Sequence, residues 1–141
     1  MGLKANSAFL NAYIELDKVC CEKFEISKGG VTEYVNRLIE YRFAPDRDEV
    51  LPKLVNYRNV RNRMAHDEGA LHSISDIAKA DAVWLTHLAK NITKGKDPVS
   101  RYLRKAKRYA IFRIVFFFLR ILLILGIIVG IFVALKHFNL I

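Results

Sequence analysis

Three residues in one short run have the types and the spacing to do chemistry. Arg61, Asn62 and His66 lie in the stretch Arg61-Asn62-Arg63-Met64-Ala65-His66. A guanidinium holds a scissile phosphate and stabilises the charge that develops on it. An imidazole titrates near neutrality and moves a proton at the attacking or leaving oxygen. A polar neighbour such as Asn62 positions the pair. This is the inventory needed to cut RNA without a metal ion.

The element that must carry these residues sharpens the reading. Residues 50–66, placed on a helix, put Val50, Leu51, Leu54, Tyr57, Met64 and Ala65 on one apolar stripe, with Arg61 at its centre and Arg63 opposite. Burying a guanidinium costs several kcal/mol unless something pairs with it. Arg61 therefore pairs with a core carboxylate, faces a second subunit, or serves an anion site. His66 follows five positions later, about 140° around an ideal helix, so the two side chains diverge on one regular helix. They converge if the helix loosens before Gly69 or if two copies of the chain meet. A lone histidine near a helix end is ordinarily a cap or surface residue; its pairing with Arg61 and Asn62 is what singles His66 out. Lys53, Arg58 and Arg63 suit RNA-backbone contacts and equally suit a solvated helix face. Asp67 and Glu68, next to the histidine, would repel RNA.

Around this segment the periodicity is helical throughout. Residues 7–26 carry Phe9, Leu10, Tyr13, Ile14, Leu16, Val19 and Cys20 at helical spacing, and Gly29-Gly30 ends that helix. Thr32 is placed to cap a second helix bearing Val31, Tyr34, Val35, Leu38, Ile39 and Tyr41. A loop at 43–48 leads to a third helix from Asp48, with Pro52 in its first turn. Ser73 or Ser75 is placed to cap a fourth, with Ile77, Ala80, Val83, Trp84, Leu88 and Ile92 as its stripe. After a linker at 95–98, a last helix starts near Ser100. No run alternates with period two, so the fold class is all-α: a small up-down four-helix bundle followed by a long basic helix.

That last helix changes character along its length. Residues 1–93 carry thirteen Lys/Arg and thirteen Asp/Glu, whereas residues 94–141 carry ten Lys/Arg against Asp97 alone. The whole net charge of +9 therefore sits at the C-terminal end. Ile114 to Leu135 is a run of 22 residues with one charge, Arg120; at about 1.5 Å per residue it matches the roughly 30 Å hydrocarbon core of a bilayer. Arg101, Arg104, Lys105, Lys107, Arg108 and Arg113 precede the run, and only Lys136 and His137 follow it. The positive-inside rule then predicts a single pass through the cell inner membrane with the N-terminal domain in the cytoplasm. Anionic headgroups are the better partner for the basic run, RNA the weaker one. Within the span, Gly126, Gly130 and Ala134 share a face and permit close helix approach, although glycine is common in such helices anyway. Arg120 either snorkels to headgroups or lines an oligomeric water-filled pathway.

Other chemistry is excluded. His72, His87 and His137 lack metal-ligand spacing, Gly29-Gly30 has no phosphate-loop lysine behind it, and no serine has a nucleophile-elbow context. No metal or cofactor is expected. Cys20 and Cys21, being adjacent, suit a disulfide badly and read as small helix residues in a reducing compartment.

Arg61-Asn62-x-x-x-His66, late in the third helix of a small bundle, resembles the motif of the HEPN domain (higher eukaryotes and prokaryotes nucleotide-binding). The helix order extends the resemblance over roughly residues 5–93. It implies a metal-independent endoribonuclease that leaves a 2′,3′-cyclic phosphate, with Arg61 stabilising the phosphate, His66 as general acid/base and Asn62 positioning both. HEPN domains typically dimerise with their motifs facing, which implies a homodimer or higher assembly. They are frequent in toxin–antitoxin and antiviral defence systems, which implies RNA as substrate and an antitoxin or sensor protein as partner. Some have lost catalysis, so a silent sensor acting through its transmembrane helix is the alternative. The expected layout is a HEPN-like domain over 1–94, a basic juxtamembrane segment over 95–113, a span over 114–136 and a short tail over 137–141.

Overall fold

The computed structural model describes residues 2–66 and 77–138. Among them every regular element is a helix: α1 (Gly2–Phe24), α2 (Gly30–Glu40), α3 (Arg47–His66), α4 (Lys79–Thr93) and α5 (Pro98–His137). The chain divides into two compact units, Met1–Leu103 and Arg104–Ile141.

In the first unit, α1 packs against both α2 and α4, and α2 against α3. The α1 stripe is Phe9, Tyr13, Leu16 and Cys20, all buried at alternating spacings of three and four. Leu10 and Val19 border it, while Ile14 lies on the exposed side. From α2 come Val31, Tyr34, Val35 and Leu38. Each fully buried aliphatic side chain contributes about 1.5–3 kcal/mol relative to exposure.

The turn between α1 and α2 differs from expectation. Gly29 adopts a left-handed φ of 74°, and α2 begins at Gly30 without a cap of its own. Thr32 lies inside the helix and caps nothing. Instead the Asp17 carboxylate of α1 accepts the Val31 N–H at 2.8 Å. Gly30 makes this possible, because a Cβ there would collide with the Asp17 carbonyl, the Cys21 nitrogen and the Cys20 side chain. The cap is a tertiary contact, which local sequence rules do not see.

Two helix starts also shift. α3 begins at Arg47, after Asp46 in a left-handed conformation at φ 60°. Pro52 therefore lies beyond the first turn and removes one backbone bond from an exposed edge of the helix. The caps expected at Ser73 or Ser75 lie outside the described residues. At α4 the Asp81 carboxylate accepts the Ala78 N–H at 2.8 Å and also the Tyr57 hydroxyl at 2.6 Å. The buried face of α4 is Ala82, Leu85, Leu88, Ala89 and Ile92, preceded by Ile77, whereas Val83 and Ala80 point to solvent.

The first unit extends past the expected boundary at residue 94. Asp97, Pro98 and Val99 are buried, Tyr102 stacks on Tyr41 with ring centroids 4.8 Å apart, and Arg101 pairs with Asp46. The opening of the expected basic linker is thus part of the core. α5 starts at Pro98 because Asp97 caps it and proline is favoured at the first helical position.

From Arg104 to His137 the second unit is the remainder of α5, which is long and apolar enough to cross a membrane, with an 18-residue window of mean hydropathy 3.0. All-α architecture ending in a long apolar helix is thus what the chain adopts.

Candidate functional site

α3 stays α-helical through His66. Its buried residues are Val50, Leu54, Tyr57 and Val60. The inward stripe is therefore turned by about 40° from the sequence stripe, toward Val60. Val60 takes the interior position, Arg61 is half-buried at its edge, and Ala65 is exposed. Val60 wins because its alkyl side chain needs no polar partner.

Among the described residues no carboxylate pairs with Arg61. Its Nη1 donates to the adjacent Asn62 Oδ1 at a long 3.4 Å. Tyr13 of α1 is near enough for its hydroxyl to feel the Arg61 charge. Burial pushes the Tyr13 hydroxyl pKa up to about 12 and the Asp17 carboxylate adds to that, while the charges of Arg61 and Arg58 pull the other way. Tyr13 is the residue the motif reading missed, since on sequence alone it is one more member of the α1 stripe.

His66 is exposed at the last position of α3. Because the helix is unbroken between them, Arg61 and His66 point about 140° apart. The structure does not bring the pair together within one chain. Asp67 and Glu68 lie outside the described residues.

The weaker candidates separate. Lys53 places its ammonium 5.0 Å from the centroid of the Trp84 ring, a cation–π contact that ties α3 to α4. Trp84 in turn packs edge-on against Tyr57 at 5.6 Å, and Tyr57 against Phe9 at 5.4 Å. Arg58 is half-buried near Tyr13, and Arg63 is exposed. From Val50 to His66 there is no Asp or Glu, so the outer part of α3 presents cations only.

A family model described as a family of unknown function (DUF6548) matches residues 7–115, more than three quarters of the chain. The chain belongs to that family. No curated protein and no solved structure matches it. The matched region takes in most of α1, all of α2 to α4 and the first part of α5, so Arg61, Asn62 and His66 fall inside it. Arg120, Gly126, Gly130 and Ala134 fall beyond it. In the second unit these residues are all exposed, and a Cβ on either Gly126 or Gly130 would meet nothing within 4 Å.

A second polar cluster, not anticipated from the sequence, closes the other end of the bundle. The buried Asp97 carboxylate accepts from Lys23 Nζ at 2.9 and 3.0 Å and from the Tyr34 hydroxyl at 2.9 Å. It also accepts the Ser100 N–H at 3.2 Å. Burial pushes this carboxyl up, but the hydrogen bonds from Ser100, Lys23 and Tyr34 and the Lys23 charge outweigh it and hold the pKa below the usual range. The Tyr34 hydroxyl is driven strongly upward by burial and by the Asp97 charge. Asp97-Pro98 is itself a helix-start signal, and Asp97 is the single acid among residues 94–141; those two facts together could have found it. Among the described residues there is no group of His, Cys, Asp and Glu able to hold a metal ion.

Proposed function

We propose that this chain is a membrane-anchored HEPN-type endoribonuclease of a toxin or antiphage-defence system, working without metal. The observation that carries the proposal is Arg61: a half-buried guanidinium with no carboxylate partner among the described residues, followed by Asn62 and His66 on a helix segment free of acids. A cation held at a core edge with no counter-charge among the described residues is suited to receive an anion from outside.

The reaction is transesterification. The RNA 2′-hydroxyl gives up its proton to a base and its oxygen attacks the adjacent phosphorus. The bond from phosphorus to the 5′-oxygen breaks, and that oxygen takes a proton, leaving a 2′,3′-cyclic phosphate and a 5′-hydroxyl. Arg61 stabilises the phosphate charge, His66 transfers the proton and Asn62 orients the guanidinium. Because Arg61 and His66 diverge on α3, the site is completed by a second copy of the chain, with Arg61 of one copy near His66 of the other.

The apolar length of α5 serves as a single inner-membrane span. Its basic flank, richest at Arg104, Lys105, Lys107 and Arg108, places the bundle on the cytoplasmic side. Two copies held in one bilayer meet at raised effective concentration, and Gly126, Gly130 and Ala134 allow their spans to pack closely.

The test is RNA cleavage by the detergent-solubilised full chain in EDTA. Wild-type protein should generate cyclic-phosphate ends, and His66→Ala and Arg61→Ala should each abolish them. Equal cutting by the His66 variant would refute the proposal. The divergence of Arg61 and His66 also favours a second reading, a catalytically silent HEPN sensor acting through its span. That reading predicts biological activity lost on changing Arg120 or Gly126 and Gly130, with His66→Ala harmless.

A further inference from the structure

The cations of the second unit that precede Gly126 fall into two geometrically different sets. Arg104, Lys105, Lys107 and Arg108 are all exposed, and at about 100° per residue they spread over an arc of about 160° of the helix circumference. Such a broad basic face suits the diffuse negative potential of a membrane surface. Arg113 and Arg120 do not belong to it. They are seven positions apart, which returns the helix to within about 20° of the same direction, so they form one line about 10 Å long.

That line runs along a shallow groove in the helix surface. Ala106 and Ala110 leave it open, and Tyr109, Phe116 and Phe117 wall it beside the two arginines. Residues 104–141 contain no Asp or Glu, so no carboxylate on this segment neutralises either guanidinium. Arg120 lies within the apolar run that starts at Ile114, at a depth where an unpaired charge is costly and where an anion reaching inward from the headgroups relieves the cost.

We infer that the Arg113–Arg120 face is a binding site for the phosphate headgroup of an anionic phospholipid. Arg113 meets the phosphate at headgroup level, and Arg120 extends its side chain along the groove toward the same layer. The aromatic rings at 109, 116 and 117 pack on the glycerol and upper acyl chains, where amphipathic and aromatic groups are favoured. The occupant is a lipid and not a second span, because the stripe of Gly126, Gly130 and Ala134 is centred roughly 90° away around the helix. Helix pairing through the glycines leaves the arginine line free. RNA is the poorer candidate, since Arg120, Phe116 and Phe117 belong to the hydrocarbon-length run.

This inference rests on α5 crossing a bilayer, and the experiment separates the two. The full chain is reconstituted in phosphatidylcholine vesicles carrying trace spin-labelled phosphatidylglycerol or spin-labelled phosphatidylcholine. A motionally restricted component for both labels reports a bilayer-embedded protein; its absence for both would overturn the span and the site together. The site predicts stronger restriction of phosphatidylglycerol. It also predicts that the preference persists at high salt, where the screening length shrinks to about 3 Å at 1 M. Arg113→Gln and Arg120→Gln should each reduce the preference by about fivefold, the factor expected for one cation at an anionic surface. Arg113→Lys with Arg120→Lys should retain it. Neutralising Arg104, Lys105, Lys107 and Arg108 together should remove only the salt-sensitive part. Equal restriction of the two labels would overturn the lipid site with the span intact. So would a preference unchanged when Arg113→Gln and Arg120→Gln are combined, or one displaced by added single-stranded RNA.

Discussion

Lys23 and Asp97 lie 74 positions apart in the chain, yet the Lys23 ammonium touches both carboxylate oxygens of Asp97, at 2.9 and 3.0 Å. The Asp97 side chain is fully buried and that of Lys23 keeps 17 % of its surface exposed. With Tyr34 donating from α2 and Ser100 from the first turn of α5, this single carboxylate joins three helices. Burying an ion pair adds little net stability by itself, but removing one partner leaves the other charge stranded.

Asp97→Asn should therefore destabilise the bundle by about 3 kcal/mol, measured by urea unfolding of the full chain in detergent and followed by the fluorescence of Trp84, the single tryptophan. Lys23→Met combined with Asp97→Asn should cost less than the sum of the two. The pH dependence has a definite sign. The folded carboxyl titrates below its unfolded value of 3.8, so the unfolded chain binds the proton first as pH falls. The contribution is complete above that value and is lost as pH falls through the folded pKa. The gap between wild type and Asp97→Asn should narrow below about pH 4; a gap constant into acid would show that the pair contributes nothing.

Gly30 and Gly126 should respond oppositely to the same change. A methyl group at Gly30 has no room between α2 and the backbone of Asp17 and Cys21, whereas at Gly126 the surroundings within one chain are open. Gly30→Ala should cost about 1–3 kcal/mol through forced separation of the helices, in the same urea assay. Gly126→Ala should leave that transition unmoved. Equal behaviour of the two variants would show that α1 and α2 do not approach as described.

The two adjacent thiols should differ in reactivity. Cys20 is 1 % exposed, and burial first, then the Asp17 charge, pushes its pKa up to about 12. Cys21 is partly exposed. A thiol that stays protonated and covered is inert. Iodoacetamide at neutral pH should label Cys21 in the folded chain and reach Cys20 only after unfolding, as read by peptide mass spectrometry. Comparable labelling of both in the native state would contradict the α1–α2 packing.

The elements were legible wherever their signal is local. The helical stripes of α1 and α2 named all eight residues those stripes bury, because apolar spacing and inward facing share one cause, the 3.6-residue turn. Local sequence marks Gly30 only as a breaker, yet it is also the contact point of two helices. On α3 the pattern misled: Arg61 lay at the computed centre of the stripe, and the packed helix rotates so that Val60 goes inside. A short stripe fixes a face only to within a residue or so, and the neighbouring helices choose the rest. The capping of α2 by Asp17 was out of reach of any local rule, since it joins residues on different helices.

By itself the sequence determined that this protein is all helix, that its charge excess lies at one end, and that one helix there is long and apolar enough for a bilayer. Those properties follow from composition and period, which no packing alters. Tertiary structure decided that the bundle continues to Leu103, because Asp97 finds Lys23 and Tyr34 only when α1 and α2 are side by side. It also decided that Arg61 and His66 diverge on an unbroken helix. A motif states which groups are present; the direction each one points depends on the helix that carries it and on the residues that turn that helix toward the core.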